Sequence, residues 1–523
     1  MKLTKKIISV VAAASMLTAV AFADDFGFDF SEGDSGFDFG DGGDSSSSGG
    51  IGNVISAINW TGDANLEGRL YVDQRDGNDD RYDFKDFPTA VFPSFNLGME
   101  YTGAYTDFSG KLKFDKFSLG DYKQDILEEF TARVYVNSNV QLEAGKMKVV
   151  WGKGDKLHVL DNFNANDYTD YIIPDYIGRR IAEPMFRAVY TTKGGIKFEG
   201  IYTPTMTADR LATSGAWKPK AMTSLEDNVK SIIAAQLQAA MTADNTGALV
   251  DYASFSADDL YPDTWAFKYG QAGIRSTFTI GQVDLGASYY YGHYKQVSAN
   301  VESMVNANVV GGLVAAYPAL ADMLTANADL PTLEYDRVNI FGLELATIIW
   351  RFNTRAELAY NLTADTAGDD PWVHNNSLNW IFGFDIDLPI HNINVNVQNQ
   401  GKYTLHYDKL DDEKLTYLAG TPYEYAYSLK AYDVDYNGGH ATNNKIVVAI
   451  TDTWDHEKTK LDVKGIWGIE RKDVIVMPKL SRTIFDDFSV SLSGMFIWCK
   501  DEDSEFDGWE HNSFVTLGAR YQF

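Results

Sequence analysis

The sequence predicts an all-β protein: a transmembrane antiparallel β-barrel of about eighteen strands, sixteen being the alternative, with helical insertions in its long loops. Three observations lead there. Polar and apolar residues alternate with period two from Trp60 onward. The connections between the alternating segments switch between short and long. The chain also holds 30 Tyr, 30 Phe and 11 Trp, yet beyond residue 23 it has no run of roughly 18 apolar residues that could span a membrane as a helix.

The alternation is plain along individual segments. Trp60, Gly62, Ala64, Leu66, Gly68, Leu70 and Val72 share one face, and Thr61, Asp63, Asn65, Glu67, Arg69 and Tyr71 the other. Phe488, Val490, Leu492, Gly494, Phe496 and Trp498 alternate with Ser489, Ser491, Ser493 and Met495. Strands are predicted near 60–73, 93–106, 108–118, 127–137, 139–151, 185–193, 195–203, 264–280, 283–294, 334–350, 351–363, 376–388, 390–407, 442–454, 458–469, 474–483, 488–499 and 511–523. A soluble sandwich could supply any one of them; the connections separate the two architectures. Asn137-Ser138, Gly194-Gly195, Gly281-Gln282, 389–392 and 485–487 are tight, whereas 152–184, 204–263, 295–333 and 408–441 are long. Tight turns at one end and long loops at the other are the pattern of a membrane barrel. An even strand number places both termini at the tight-turn, periplasmic end.

The flanks suit an exported chain. Lys2, Lys5 and Lys6 precede an apolar run from Ile7 to Val20, and Ala21-Phe22-Ala23 fits a cleavage site, so 1–23 is expected to be a signal peptide. Residues 24–52 form an acidic Gly/Ser/Phe-rich segment in which Gly-Phe-Asp-Phe occurs at Gly27–Phe30 and again at Gly36–Phe39. Its composition predicts a disordered periplasmic tail, with docking of the repeated unit on a periplasmic partner as the sharper alternative. The barrel then occupies 53–523. The net charge of −28 excludes nucleic acid as a partner, because phosphates would be repelled. Cys499 is the sole cysteine, so there is no disulfide framework. Two loop segments have helical periodicity: 223–241, with Ile232, Ile233, Leu237 and Met241, and 301–326, with Val305, Val309, Leu313, Ala316, Leu320 and Leu324. Each either packs on the barrel mouth or folds inward as a plug.

At the other end, Val515, Leu517, Ala519, Tyr521 and Phe523 alternate with Thr516, Gly518, Arg520 and Gln522. The segment resembles the C-terminal strand signal of outer-membrane barrels. That resemblance implies Tyr521 and Phe523 as the insertion signal and the barrel-assembly machinery as a partner, beside outer-membrane lipid.

The polar face of each strand should line the lumen. Parity places Glu67, Arg69, Lys111, Lys113, Asp115, Arg133, Arg187, Arg275, Arg355, Glu357 and Lys464 there. Charges of both signs would hold water and favour small hydrophilic solutes; the same residues could instead stitch a closed lumen together. The segment Val149-Val150-Trp151-Gly152-Lys153-Gly154-Asp155, followed by Asp161, Asn164 and Asp167, then Arg179-Arg180 and Glu183-Pro184, resembles a porin-like family of uncharacterised outer-membrane proteins related to alginate-export-type barrels. The run from Pro478 to Phe523 is similar to that family's closing hairpins, although the family usually carries proline where Ala165 stands. The resemblance implies that Asp161, Asn164, Asp167, Arg179 and Arg180 belong to an inward-folded loop narrowing the pore, with the arginines as anion contacts. A purely structural latch among the same groups is the other possibility.

Signals for catalysis are weak. His158, His293, His374, His391, His406, His440, His456 and His511 show no metal-ligand spacing. No nucleophile elbow or phosphate-cradling loop occurs, and Asp433, Asp435, Asn437 and Gly438 lack the distal Glu of a calcium loop. Neither enzyme activity nor a cofactor or metal is expected. The sequence therefore points to a porin-like channel for passive diffusion of small hydrophilic solutes in a bacterial outer membrane. A surface-exposed barrel acting as adhesin or structural protein is the alternative, and an outer-membrane hydrolase a third. Homotrimeric assembly is left open.

Overall fold

The computed structural model describes residues 58–73, 89–119, 125–155, 157–170, 178–218, 262–296, 298–299, 333–368, 370, 373–409, 441–500 and 504–523. The expected signal peptide, the acidic tail, both helical loop segments and the Asp433–Gly438 loop lie outside the described residues.

Eighteen antiparallel strands close into a barrel. In chain order they are β1 (Asn59–Tyr71), β2 (Thr89–Thr102), β3 (Thr106–Asp115), β4 (Leu127–Asn137), β5 (Val140–Met147), β6 (Glu183–Thr191), β7 (Lys197–Thr203), β8 (Gln271–Ile280), β9 (Val283–His293), β10 (Arg337–Ile349), β11 (Phe352–Leu362), β12 (Ser377–Asp387), β13 (Asn394–Thr404), β14 (Thr442–Trp454), β15 (Thr459–Gly468), β16 (Val474–Phe485), β17 (Phe488–Trp498) and β18 (Phe514–Gln522). Each pairs with the next. The ring closes where β1 meets β18, with Asp63 opposite Gln522 and Tyr71 opposite Phe514. Closure leaves no strand edge with unpaired amides, the condition for backbone in hydrocarbon.

Tight connections such as Ser138-Asn139, Gly281-Gln282, Trp350-Arg351 and Asp486-Asp487 all fall at one end of the barrel. That end also holds the start of β1 and the finish of β18. The chain turns there with residues in left-handed conformation: Gly195, Gly281, Trp350, His391, and Asp455-His456-Glu457 in succession. The strand ends that carry the long connections lie at the opposite mouth.

Side-chain alternation separates the two surfaces. Leu66, Phe186, Leu343, Phe382, Trp467, Leu492 and Leu517 point outward and are about half exposed or more. Exposing such side chains to water would forfeit about 1.5–3 kcal/mol each relative to burial, so this surface is matched to lipid. Exposed aromatic residues mark both rims: Trp350, Phe485, Tyr521 and Phe523 at the tight-turn end, and Trp265, Phe267 and Trp498 near the long loops. Phe523 exchanges backbone hydrogen bonds with Gly62 at 2.9 Å and stacks on Phe95.

Candidate functional site

The inward face is polar, and over eight successive strands its charges form one chain. Asp107 on β3 lies 3.8 Å from Arg133 on β4, which donates to Glu143 on β5 at 2.7 Å. Arg187 on β6 joins Glu143 at 2.9 Å to Glu199 on β7 at 2.6 Å. Arg275 on β8 sits 3.9 Å from Glu199 and 2.7 Å from Glu344 on β10. The register builds this chain: Arg133 stands opposite both Asp107 and Glu143, Glu143 opposite Arg187, and Glu199 opposite Arg275. On the intervening β9, Gly286 makes room, because a Cβ there would lie 2.3 Å from the Glu344 carboxylate. Parity identifies the arginines. Their acidic partners obey the same parity and were legible from it, except Asp107, which falls between two predicted strands.

The described residues of the segment from Lys148 to Ala182 fold into the barrel. At its start Asn164 replaces a strand neighbour: its Oδ1 accepts from Val149 N–H at 2.8 Å, while its Nδ2 donates to Met147 O at 3.0 Å and Ile181 O at 2.8 Å. Trp151, Leu160 and Phe163 then pack against Met185, Ile201, Tyr290, Val338, Ile340 and Ala359 of the wall. Beyond them the segment descends toward the tight-turn end. Lys153 comes 3.8 Å from Asp284 near the start of β9, and Asp155 pairs with Arg355 of β11 at 2.7 Å and with Asn396 of β13.

Glu357 of β11 is the main anchor. Its Oε1 accepts from Gly154 N–H at 2.5 Å and lies 2.8 Å from His158 Nδ1, and its Oε2 accepts from Val159 N–H at 2.8 Å and Leu160 N–H at 3.2 Å. Burial alone would pull the His158 imidazole down; the Glu357 carboxylate beside it outweighs that, with Asp161 adding and Arg180 opposing, so the net shift is upward. Gly152 is required here twice over. Its φ is +113°, and a Cβ would fall 2.1 Å from Glu357 Oε1.

The remaining candidate residues of this segment hold it in shape. Arg180 pairs with the Asp161 carboxylate at 2.8 Å, donates to Asp161 O at 2.9 Å and reaches Asn166. Arg179 O accepts from Asp167 N–H at 2.6 Å. The Asp167 carboxylate takes Arg210 at 2.8 Å. Asp170 forms a two-pronged pair with Arg69 of β1 at 2.7 and 2.9 Å. β1 and β11 stand nearly opposite in the ring, so one inward segment is tied to both walls. Lys111 and Lys113 of β3 face Glu128 and Asp115, each at 3.1 Å.

A second inward strap has no counterpart in the sequence reading. Residues 204–218 leave β7 and end across the long-loop mouth, where Trp217 packs among Tyr71, Ile475, Met495, Ile497, Phe506 and Phe514. Trp217 Nε1 donates to Tyr71 OH at 3.1 Å, and Trp509 Nε1 and Asn512 Nδ2 donate to Trp217 O and Ala216 O. The two inward segments are joined to each other by a short parallel ladder, Asp167 to Arg210 and Tyr168 to Leu211, and by Asn166 N–H donating to Asp209 at 2.7 Å. The joint is dry enough that burial pushes the Tyr168 phenol up to about 12 and raises the Asp209 carboxyl.

No protein-family profile matches the chain, and no curated protein matches it. Comparison with solved structures returns barrels of similar extent at low identity. A Salmonella typhi OmpF complex with daunomycin is 9% identical, covers 89% of this chain and 97% of its own, and has a TM-score of 0.37. Acinetobacter baumannii OccAB4 is 9% identical over 89% and 98%, with a TM-score of 0.42. Pseudomonas aeruginosa OpdL is 11% identical over 90% and 99%, with a TM-score of 0.40. At such identities nothing about solute or partner passes from them to this chain.

Proposed function

We propose that the protein is a porin-like channel of a bacterial outer membrane, through which small hydrophilic solutes diffuse passively. One observation carries this: a closed ring of eighteen strands with a polar inner face and an apolar outer face. About eight strands make a barrel that its own side chains can fill, whereas 16–18 leave an aqueous bore. In this reading 1–23 directs export, 24–52 is a periplasmic tail, Tyr521 and Phe523 present the insertion signal, and the assembled form is a homotrimer. The segment 148–182 is the constriction. Asp161, Asn164, Asp167 and Arg180 fix its shape, Arg69, Arg355 and Glu357 tie wall and segment together, and Arg133 braces the wall itself.

The test is single-channel recording of the refolded full chain in a planar bilayer. Discrete, steady openings are expected. A heat-modifiable, folded barrel that never opens would overturn the channel and favour the surface-protein alternative, with the strap ending at Trp217 as part of its plug.

A further inference from the structure

The outward surface is lined by exposed apolar side chains, and at the tight-turn end it carries a charged exception. Register places Trp454, Thr459, Arg482, Val490 and Ala519 side by side in one outward row across β14 to β18. One step toward the middle of the barrel, the next outward row holds Leu461, Leu480, Leu492 and Leu517, with Asp452 at its edge taken by His391 at 2.7 Å. Two residues of strand separate the rows, roughly 7 Å, so Arg482 is level with Trp454 in the aromatic rim, where lipid headgroups lie. Its guanidinium is held in place: one arm donates to Asp455 at 2.7 Å and the other to the Thr459 hydroxyl. Asp455 belongs to the turn between β14 and β15, where Asp455, His456 and Glu457 are all left-handed. Such conformations are costly for residues other than glycine and cluster at ligand sites. Thr483 N–H pins the turn to β16 by donating to Lys458 O at 2.8 Å. Between turn and strand lies an open cavity of about 430 Å³, lined by Asp455, His456, Lys458, Arg482, Thr483 and Ile484.

We propose that this cavity is a binding site for one membrane phospholipid whose zwitterionic headgroup joins a phosphate to a primary ammonium. Arg482, already fixed by Asp455 and Thr459, has further N–H groups to donate, and with Lys458 it receives the phosphate. The Asp455 carboxylate, half-exposed, takes the lipid's ammonium. From there the acyl chains run over Leu480 and Leu461 of the next row. The mixture of signs chooses the headgroup. Glu457 in the same turn and Asp486-Asp487 in the adjacent one would repel an anionic headgroup. A quaternary ammonium has no N–H to give Asp455, so a primary ammonium fits better. The inference needs the barrel to lie in a bilayer and does not need it to conduct.

The experiment is native mass spectrometry of the refolded full chain in detergent, offered equimolar dioleoyl phosphatidylethanolamine, phosphatidylglycerol and phosphatidylcholine. A phosphatidylethanolamine adduct should survive at collision energies that strip the other two lipids, and K458Q/R482Q should lose it several-fold. D455N should move the preference toward phosphatidylglycerol, because the partner of the ammonium is gone while both cations remain. Free phosphoethanolamine at the lipid's concentration should not displace the adduct; displacement would make this a site for a soluble phosphate ester and overturn the lipid assignment. Equal retention of the three lipids, a preference for phosphatidylglycerol in the unaltered chain, or an unchanged adduct in heat-modifiable K458Q/R482Q would each overturn it as well. If the double variant fails to fold, K458Q alone and the unaltered chain's ranking of the three lipids still decide. None of these outcomes depends on whether the barrel opens in a planar bilayer, so the site and the channel stand or fall separately.

Discussion

The inner wall has two arcs built from the same kind of strand and filled in opposite ways. From β3 to β10 the charges of the ion-pair chain meet their opposites on the neighbouring or next strand, and the segment from Lys148 onward packs Trp151, Leu160 and Phe163 against the same side of the barrel. From β16 to β18 the inner face is built differently: Ser481, Ser491, Ser493 and Thr516 adjoin an apolar patch of Ile475, Met495, Ile497 and Phe514 that holds the Trp217 strap. The difference teaches that a barrel wall can be braced from inside in two ways. Buried alternating pairs brace the wall against the desolvation each ion would suffer alone. An apolar patch at the mouth anchors a strap by burial, with no ion to desolvate.

The largest expected effect breaks the paired arc. Arg187→Ala leaves the Glu143 and Glu199 carboxylates facing each other without their shared guanidinium, and breaking such a buried pair costs about 3–5 kcal/mol. The urea midpoint of the refolded barrel should fall accordingly; an unshifted midpoint would mean that the pairs carry no load. Next is Trp217→Ala, which empties an aromatic anchor at a cost of about 3 kcal/mol. It should loosen the strap and raise single-channel conductance, and unchanged conductance would place the strap outside the current path.

A smaller effect depends on pH. The His158 shift is upward, so the latch on Glu357 contributes stability that is complete below the unfolded histidine value near ~6.5 and declines as pH rises through the higher folded value. Current noise from the constriction should therefore grow on going from mildly acid to alkaline solution, and His158→Asn should flatten the dependence; a profile identical in the variant would remove His158 from the latch. The smallest effect sharpens the contrast from the other side. Ser491→Ala should change stability by less than about 0.5 kcal/mol, so a large loss in the same urea titration would show that the hydroxyl face of β17 is structural as well.

Much of this was legible in the sequence because a strand's side-chain period is local. All eighteen predicted strands overlap observed ones, and the inward residues follow from parity alone. The misjudged boundaries have local causes. The predicted strand 264–280 begins only at Gln271, since Phe267–Tyr269 coil into a 3-10 turn. The predicted strand 390–407 starts at Asn394, after His391 has taken a left-handed turn. The predicted strand 139–151 ends at Met147, because the side chain of Asn164 captures the next free amide and turns Trp151 into the bore. The Trp217 anchor was not legible in any way. Its partners Tyr71 and Trp509 are far away in the chain, and no periodic pattern links an isolated tryptophan to them. The candidate carboxylates and arginines of 148–182 were visible as a cluster, but only distances could show how tightly they hold one another.

The seam between β1 and β18 has a consequence for how the barrel forms and fails. It joins Asp63 to Gln522, so the first and last strands must find each other across nearly the whole chain. Every other pairing is between strands that follow one another. Loop closure rises only as the logarithm of length, so the entropic disadvantage of the seam is modest, but its contacts are the most non-local in the molecule and should be among the last to form. Once they form, no strand can peel away without breaking two complete ladders at once. Survival of the closed ring is then governed by the rate of opening at one seam, and the protein's durability is a matter of kinetics as much as of equilibrium.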